Sequence, residues 1–268
     1  MPDNGVIASY VSGHERDALH LAGERFERAP LAQNLFLNSV PKSGTHLIRN
    51  IVRMFVPEAQ QYHRDYIQLP NLRAHMSVFR SNPARVSWGH LLFADDSAIA
   101  LQGVRHVVLV RDPYDWVLAR ARFFLSDEFN GALNNIKNGA VSTEEVLNMM
   151  IVGVHQKSPS LIDVFTHNAV AWMGTSARIV RYEDIVAAVD DLDSRAAETF
   201  FSDLLAGCGI DMPDDWRERV LTGSDRKQSR TARENLTVGV DIPSVLPPAQ
   251  HRLVDFFAPG LRELLGYR

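Results

Sequence analysis

The sequence predicts an α/β fold with a mainly parallel central sheet flanked by helices. Apolar segments of strand length recur along the chain, and a turn and a helix-like pattern follow the first two of them. Strands that alternate with helices are typical of a parallel sheet covered on both faces. The 268 residues can bury such a core without disulfides, and the single cysteine, Cys208, cannot form an internal one. We expect one α/β domain over residues 31–268, preceded by a helical, mobile N-terminal extension at residues 1–30.

The first strand–turn–helix unit begins at Asn34. Leu35–Val40 is apolar and predicts a strand, and the next five residues interrupt the pattern. Apolar residues from Leu47 to Phe55 then follow at helical spacing. This unit therefore places a turn directly between a buried strand and a helix.

The same order recurs later in the chain. Arg105–Val110 predicts a strand, and the helix after it starts near Pro113, because proline suits the first helical position. Ala177–Arg181 predicts the third strand. The other predicted helices are Val141–Val154 with Ser142 or Thr143 as N-cap, Ser160–Met173, Arg195–Ala206 ended by Gly207, Asp214–Leu221 and Pro248–Phe257.

Composition and charge narrow the class of protein. The net charge of −4 argues against a generally basic nucleic-acid-binding protein. The N-terminus lacks the basic region and the apolar region of a signal peptide, and no apolar run approaches the ~20 residues that span a bilayer. We expect a cytoplasmic protein without a membrane span and without a nucleic-acid partner.

The turn after the first strand has the composition of a phosphate-binding loop. The backbone N–H groups that begin a helix are unpaired and lie at the positive end of its dipole, so they bind anions. A lysine adds a full charge, a glycine permits a tight turn, and hydroxyl groups add donors. The candidate phosphate-binding residues are Lys42, Ser43, Gly44, Thr45 and His46.

This loop departs from the pattern of ordinary nucleotide-dependent kinases and ATPases. That pattern is G-x-x-x-x-G-K-[ST], with the lysine after the second glycine. Here Lys42 precedes Gly44, and the loop has no earlier glycine. No predicted strand ends in an aspartate suited to Mg²⁺. A P-loop nucleotide kinase remains the alternative enzyme, but the pattern disfavours it.

Four segments together resemble the cytosolic-type sulfotransferases, which use 3′-phosphoadenylyl sulfate (PAPS) as donor. Pro41–His46 resembles the family's 5′-phosphosulfate loop, and Arg111–Asp115 resembles its 3′-phosphate segment. Arg181–Asp184 and the pair at 226–227 resemble two later family segments, and the order and spacing of all four fit. The resemblance covers about residues 34–233 and implies a P-loop-like α/β domain that binds PAPS and releases 3′-phosphoadenosine 5′-phosphate (PAP), without a metal.

The resemblance also assigns roles to the later segments. Arg111 would bind the 3′-phosphate, for which the fork of a guanidinium is suited. Tyr182 would contact the adenine end of the nucleotide. Arg226 and Lys227 open a run of four cations in eight residues, which the resemblance identifies as a flap on the 3′-phosphate. Arg230 and Arg233 are the substitutes within that run.

The general base implied by the resemblance is His90, and histidine suits proton transfer near neutral pH. It belongs to Val86–Leu91, which resembles the family's strand that ends in a histidine-leucine pair. His63 and His75 are the fallback bases. The ten histidines show no tight spacing of metal ligands, so we expect no metal site.

Four positions depart from the family. Leu47 stands where a tryptophan stacks on adenine, and Ala119 stands where a serine contacts the 3′-phosphate, with Arg120 as its possible replacement. Trp88 replaces a lysine, and Gln228 replaces a glycine. These substitutions leave a second alternative open, a non-catalytic nucleotide-binding protein on the same fold.

The acceptor cannot be named from the sequence beyond a small molecule or a carbohydrate with a hydroxyl group. Loops shape acceptor sites, and the irregular segments His63–Arg85 and Phe124–Val141 are the candidate walls. Their aromatic residues, with those next to them, are Tyr62, Tyr66, Phe79, Phe123, Phe124 and Phe129. The sequence does not determine the oligomeric state.

Overall fold

The structure is a computed structural model that describes residues 17–62, 66–131, 133–137, 139–228 and 236–268. Its sheet has four parallel strands in the order β2-β1-β3-β4. The strands are β1 (Leu35–Ser39), β2 (Val86–Gly89), β3 (Arg105–Val110) and β4 (Arg178–Arg181). The predicted α/β class with a parallel sheet is confirmed.

The segments between and around the strands form helices. In chain order they are α1 (Ala18–Gly23), α2 (Thr45–Arg53), α3 (Leu72–His75), α4 (Asp95–Ala100), α5 (Pro113–Leu125), α6 (Thr143–Val152), α7 (Leu161–Asn168), α8 (Tyr182–Asp190), α9 (Arg195–Cys208), α10 (Trp216–Gly223), α11 (Pro248–Phe257) and α12 (Leu261–Leu264). Short 3₁₀ turns lie at Glu58–Gln60, Leu69–Asn71, Met76–Arg80, Asn134–Ile136, Val170–Trp172 and Arg226–Gln228.

The chain divides into two compact units. Of the described residues, the sheet unit contains 17–110 and 167–228, and the helical unit contains 111–166 and 236–268. The division predicted at residue 30 stays a prediction. The described part of residues 1–30 packs within the sheet unit, where Leu19 and Phe26 join the apolar core.

The core of the sheet unit explains why the strands have nearly continuous apolar sequences. All five residues of β1 are buried, and β3 is buried from His106 onward. α2 lies on one face of the sheet and packs Ile48, Ile51 and Val52 against it. Strands covered on both faces need side chains that avoid water on each side, which is the pattern in the sequence.

Several predicted boundaries differ from the observed ones. α9 continues through Gly207 to Cys208 and is capped by Gly209, whose φ of 73° is the left-handed conformation that terminates helices. The helix predicted over Ser160–Met173 breaks at Ala169 into α7 and a 3₁₀ turn. α6 begins after Ser142, whose side chain accepts from the Glu145 N–H, as predicted.

Within the described residues, no helix is long and apolar enough to cross a membrane.

Candidate active site

The carboxyl ends of the four strands lead into the residues that the sequence analysis selected. Lys42 follows β1, His90 follows β2, Arg111 follows β3 and Tyr182 follows β4. β2 lies on one side of β1 and β3 on the other, so the chain reverses its direction across the sheet at this point. Ligands of open α/β sheets bind at such a reversal, beyond the carboxyl ends of the strands.

The loop between β1 and α2 is built to present backbone N–H groups. Gly44 precedes the first residue of α2 with φ 97° and ψ 28°, and no side chain caps this helix end. Ser43 is fully buried, and its Oγ has no hydrogen-bond partner among the described residues. An orphaned buried hydroxyl beside an uncapped helix start fits an anion such as phosphate, which would satisfy both.

A glycine is required at position 44 both by the positive φ of the backbone and by the small space beside its Cα. A Cβ at this position would lie 2.7 Å from Cε2 of Tyr182 and closer still to Cδ2. Tyr182 begins α8, directly after β4. The ring of Tyr182 therefore lies against Gly44, so two residues predicted from separate motifs are neighbours in space.

A chain of hydrogen bonds connects the phosphate loop to His90. Thr45 Oγ1 lies 2.6 Å from Ser39 Oγ, which lies 3.0 Å from Nδ1 of His90. Nδ1 is also 3.1 Å from the carbonyl oxygen of Ser39. Because a carbonyl can only accept, this contact places the proton on Nδ1 and leaves the lone pair on Nε2. Nε2 has no hydrogen-bond partner within the described segments.

The pKa of His90 is lowered to about 4, chiefly because burial disfavours the charged ring; the hydrogen bond to Ser39 raises the pKa, and the charge of Lys42 lowers it. The imidazole is therefore neutral at physiological pH. A neutral ring with a free Nε2 lone pair can accept a proton from a hydroxyl group.

The segment before β2 packs over His90. Tyr66 stacks on the imidazole with ring centres 5.4 Å apart and planes 19° apart, and its hydroxyl lies 3.1 Å from Nε2 of His46. Gly89 makes this approach possible, because a Cβ there would lie 2.8 Å from the backbone nitrogen of Ile67 and closer still to its carbonyl oxygen. The sequence indicates Tyr66 only as a candidate wall residue, because no motif connects it to His90.

Asn38 fixes the backbone around His90. Its Oδ1 accepts from the N–H groups of Ser39 and Leu91 over 2.9 and 2.8 Å, and its Nδ2 donates to the Leu91 carbonyl over 3.0 Å. The side chain is fully buried. Sequence analysis missed this role; the signal was two polar residues, Asn-Ser, ending an otherwise apolar strand.

Arg111 follows β3 and belongs to the helical unit. The next residue, Asp112, caps α5 by accepting from the Tyr114 N–H over 3.0 Å. Arg262 of α12 donates to both oxygens of Asp112 over 3.1 and 2.9 Å, and its guanidinium lies 4.1 Å from the ring centre of Tyr114. The backbone next to Arg111 is therefore fixed by the C-terminal helices.

The predicted flap lies only partly in the described residues. Arg226 and Lys227 form an exposed 3₁₀ turn, whereas Arg230 and Arg233 lie outside the described residues. This turn follows α10, which approaches α2 so closely that a Cβ on Gly223 would meet the backbone of residues 50 and 51 at about 2.6 Å. The exposed Arg226 and Lys227 therefore follow α10, which packs against α2, the helix that begins at the phosphate loop.

The role predicted for Arg120 is corrected. The Arg120 guanidinium is buried, and its donors are taken by the carbonyls of Met150 and Pro159 and by Ser158 Oγ. It cannot also replace the missing serine at 119 in this arrangement. His75, a fallback base, is buried against the hydroxyl of Tyr62 at 2.8 Å. His63, the other fallback base, lies outside the described residues.

Most of the candidate wall aromatics are core residues. All of them except Tyr66 are less than a tenth exposed, and Phe124 packs 4.5 Å from Phe129, centre to centre. Their apolar surface packs within the core and does not face a ligand site. Tyr66 alone of this set is partly exposed.

No group of three or more histidine, cysteine, aspartate or glutamate side chains could hold a metal ion in the described parts of the chain.

Comparisons with known proteins agree with this geometry at the level of the fold. No protein-family model and no curated protein sequence matches the chain. Among solved structures, it resembles mouse sulfotransferase SULT7A1 complexed with PAP, with a TM-score of 0.54 and 17% identity over 88% of this chain and 89% of that one. It also resembles retinol dehydratase in complex with retinol and PAP, with a TM-score of 0.53 and 12% identity over 90% and 84% of the two chains. A structure of retinol dehydratase in complex with androsterone and PAP has a TM-score of 0.53 and 14% identity, over 90% of this chain and 83% of that one. The chain therefore has the cytosolic-type sulfotransferase fold, as the resemblance of its motifs implied.

Proposed function

We propose that this protein is a PAPS-dependent sulfotransferase that transfers a sulfuryl group to the hydroxyl group of a small-molecule or carbohydrate acceptor. The observation that carries the proposal is the hydrogen-bond chain from the phosphate loop through Ser39 to His90. It joins an anion-binding helix start to a neutral imidazole with a free Nε2. The solved structures of similar fold contain PAP, which supports the same nucleotide here.

PAPS, when bound, supplies the sulfuryl group: its sulfur–oxygen bond to the 5′-phosphate breaks as a bond from the acceptor oxygen to sulfur forms. His90 takes the proton of the acceptor hydroxyl on Nε2, while Nδ1 keeps its own proton on the Ser39 carbonyl. The charge then formed on the ring is placed next to the Ser39 oxygens, which stabilise it. Lys42 and the first N–H groups of α2 stabilise the negative charge that grows on the 5′-phosphate oxygen.

The loop residues divide this work. Ser43 Oγ and the N–H groups of Gly44, Thr45 and His46 bind the 5′-phosphate, which satisfies the buried hydroxyl. Positioning and charge stabilisation dominate such a transfer, as in phosphoryl transfer, and they need no metal when cations and N–H groups surround the anion.

The remaining nucleotide contacts rest on the motif resemblance. Arg111 binds the 3′-phosphate, supported by the fixed helix start at Asp112. Tyr182 lies over Gly44 and contacts the adenine end. Arg226 and Lys227 add exposed positive charge toward the 3′-phosphate.

Nucleotide binding tests the proposal against its alternatives. We expect PAP to bind in a buffer with EDTA, and ATP with Mg²⁺ to bind more weakly. Preference for ATP–Mg²⁺ would indicate the kinase alternative. Binding of PAP without sulfuryl transfer to any hydroxyl acceptor would indicate a non-catalytic nucleotide-binding protein.

A further inference from the structure

α2 carries a partly buried guanidinium that the reaction described above does not use. Arg49 lies four residues after Thr45, one helical turn beyond the phosphate loop. Its guanidinium carbon is 5.3 Å from the ring centre of Trp88. Its Nε and Nη2 donate to Asn50 Oδ1 over 3.2 and 3.0 Å. Both of these partners are neutral.

The guanidinium of Arg49 differs from those of Arg53 and Arg219, two buried arginines of the same unit, because the carboxylate that acts on its charge, Asp17, is the ion-pair partner of Arg53. Arg53 pairs with Asp17 at 2.8 Å, and Arg219 pairs with Asp215 at 2.6 Å. Among the described residues, no carboxylate forms such a pair with Arg49. Burial lowers its pKa, which reflects the cost of keeping the charge away from water.

Arg49 belongs to the surroundings of the proposed base. Trp88 lies in β2, and His90 follows the end of that strand two residues later. Tyr66 stacks on His90 and packs against the apolar core cluster to which Trp88 belongs. The contact of Arg49 with Trp88 and the stacking of Tyr66 on His90 thus both lie near the carboxyl end of β2.

We propose that Arg49 binds an anionic group of the acceptor, so that the acceptors are hydroxylated compounds carrying a carboxylate or a similar fixed anion. This inference rests on the proposed function, since it assigns the acceptor of the same reaction. The anion belongs to the acceptor because the donor phosphates are served by the helix start and Lys42. Arg49 lies one turn farther on, against the strand that carries the base, where the acceptor hydroxyl must lie. A guanidinium on an indole face is suited to a planar carboxylate.

The test compares matched acids and esters as acceptors. The probes are 4-hydroxyphenylacetate and cholate, each beside its methyl ester, with PAPS as donor. In Arg49→Met the side chain keeps its packing on Trp88 and loses its charge, and Arg49→Lys keeps the charge without the fork. We expect the wild-type kcat/KM to favour the acid over the ester in at least one pair by about ten- to a hundredfold, the scale of a hydrogen bond between charged groups.

Arg49→Met should remove this preference while the ester's kcat/KM stays within about twofold, and Arg49→Lys should retain part of it. The Kd of PAP should not change in either variant, and this also shows that they fold. Where no pair is turned over, calorimetric titration of the acids into the PAP complex replaces the rate, and binding should be lost in Arg49→Met.

Three results would overturn the inference. The first is an acid-to-ester ratio of kcat/KM that is unchanged in Arg49→Met. The second is a wild type that neither prefers the acid as acceptor nor binds it. The third is a Kd of PAP that rises in Arg49→Met while the acid-to-ester ratio stays constant. The last result would assign the guanidinium to the donor. Failure of the wild type to bind PAP is a different outcome, because it contradicts the proposed function itself.

Discussion

Gly44 offers the sharpest test of how the phosphate loop is built. We expect Gly44→Ala to destabilise the protein and to weaken PAP binding. The backbone at this position has φ 97°, which costs an alanine roughly 1–2 kcal/mol. The new methyl group would also meet Cε2 of Tyr182 at 2.7 Å, well inside van der Waals contact, and such overpacking costs roughly 1–3 kcal/mol. The two effects together give a loss of about 2–5 kcal/mol.

A matched control separates the two effects. Gly103 has a similar φ of 74°, but a Cβ there would meet nothing within 4 Å. Gly103→Ala should therefore lose only the roughly 1–2 kcal/mol of backbone strain. The double variant Gly44→Ala/Tyr182→Ala should show a favourable coupling of about 1–3 kcal/mol, because the ring that causes the clash is gone.

Urea unfolding measures the stability, and calorimetric titration measures the binding of PAP. A shift of the loop by about 1 Å should weaken PAP binding by up to about a hundredfold in Gly44→Ala, and Gly103→Ala should leave it unchanged. Equal losses of stability in the two alanine variants, with PAP binding intact in both, would refute the contact between Tyr182 and the loop.

Four further predictions concern the proposed chemistry. Lys42→Ala should raise the barrier to transfer by about 2–4 kcal/mol, measured as kcat, whereas the exposed Lys157→Ala should not. His90→Asn should lower kcat by about 10²–10⁴ with the Kd of PAP retained, and full activity would refute its role as base. Because the pKa of His90 is about 4, wild-type kcat/KM should stay level as pH falls through 6.5 and decrease only near pH 4; a decrease centred at 6.5 would contradict the buried, neutral imidazole. Arg111→Ala should raise the Kd of PAP by about ten- to a hundredfold, and the exposed Arg252→Ala should leave it unchanged; an equal Kd in both would refute the 3′-phosphate contact.

The sequence was informative wherever local chemistry determines the structure. The strand over Arg105–Val110 has the predicted bounds because a strand buried on both faces is apolar throughout. The loop before Thr45 could be placed because a lysine, a glycine and hydroxyl groups between a strand and a helix are typical of anion binding. The end of α9 was misplaced because Gly207 and Gly209 are equivalent in the sequence, and only the second adopts a positive φ.

Contacts between distant segments could not be predicted in this way. The stacking of Tyr66 on His90 depends on the space that Gly89 leaves for the chain at Ile67, and no motif contains all of these residues. The sequence suggested a phosphate contact for Arg120 because it follows Ala119, the position of the family's serine. Its guanidinium instead donates to carbonyl groups more than 25 residues away in the chain. Burial and competition for donors decided both cases.

Transfer of labelled sulfate from PAPS tests the central claim most directly. The measurement uses PAPS labelled on sulfur, EDTA, and a mixture of phenols, alcohols and hydroxy acids, with the wild type beside Lys42→Ala and His90→Asn. The proposed function predicts a labelled sulfate ester and stoichiometric PAP from the wild type. It predicts a loss of about thirtyfold or more in Lys42→Ala and of about a hundredfold or more in His90→Asn. Wild-type protein that forms no labelled ester with any acceptor, or variants that form it at the wild-type rate, would contradict a sulfotransferase that uses the phosphate loop and His90.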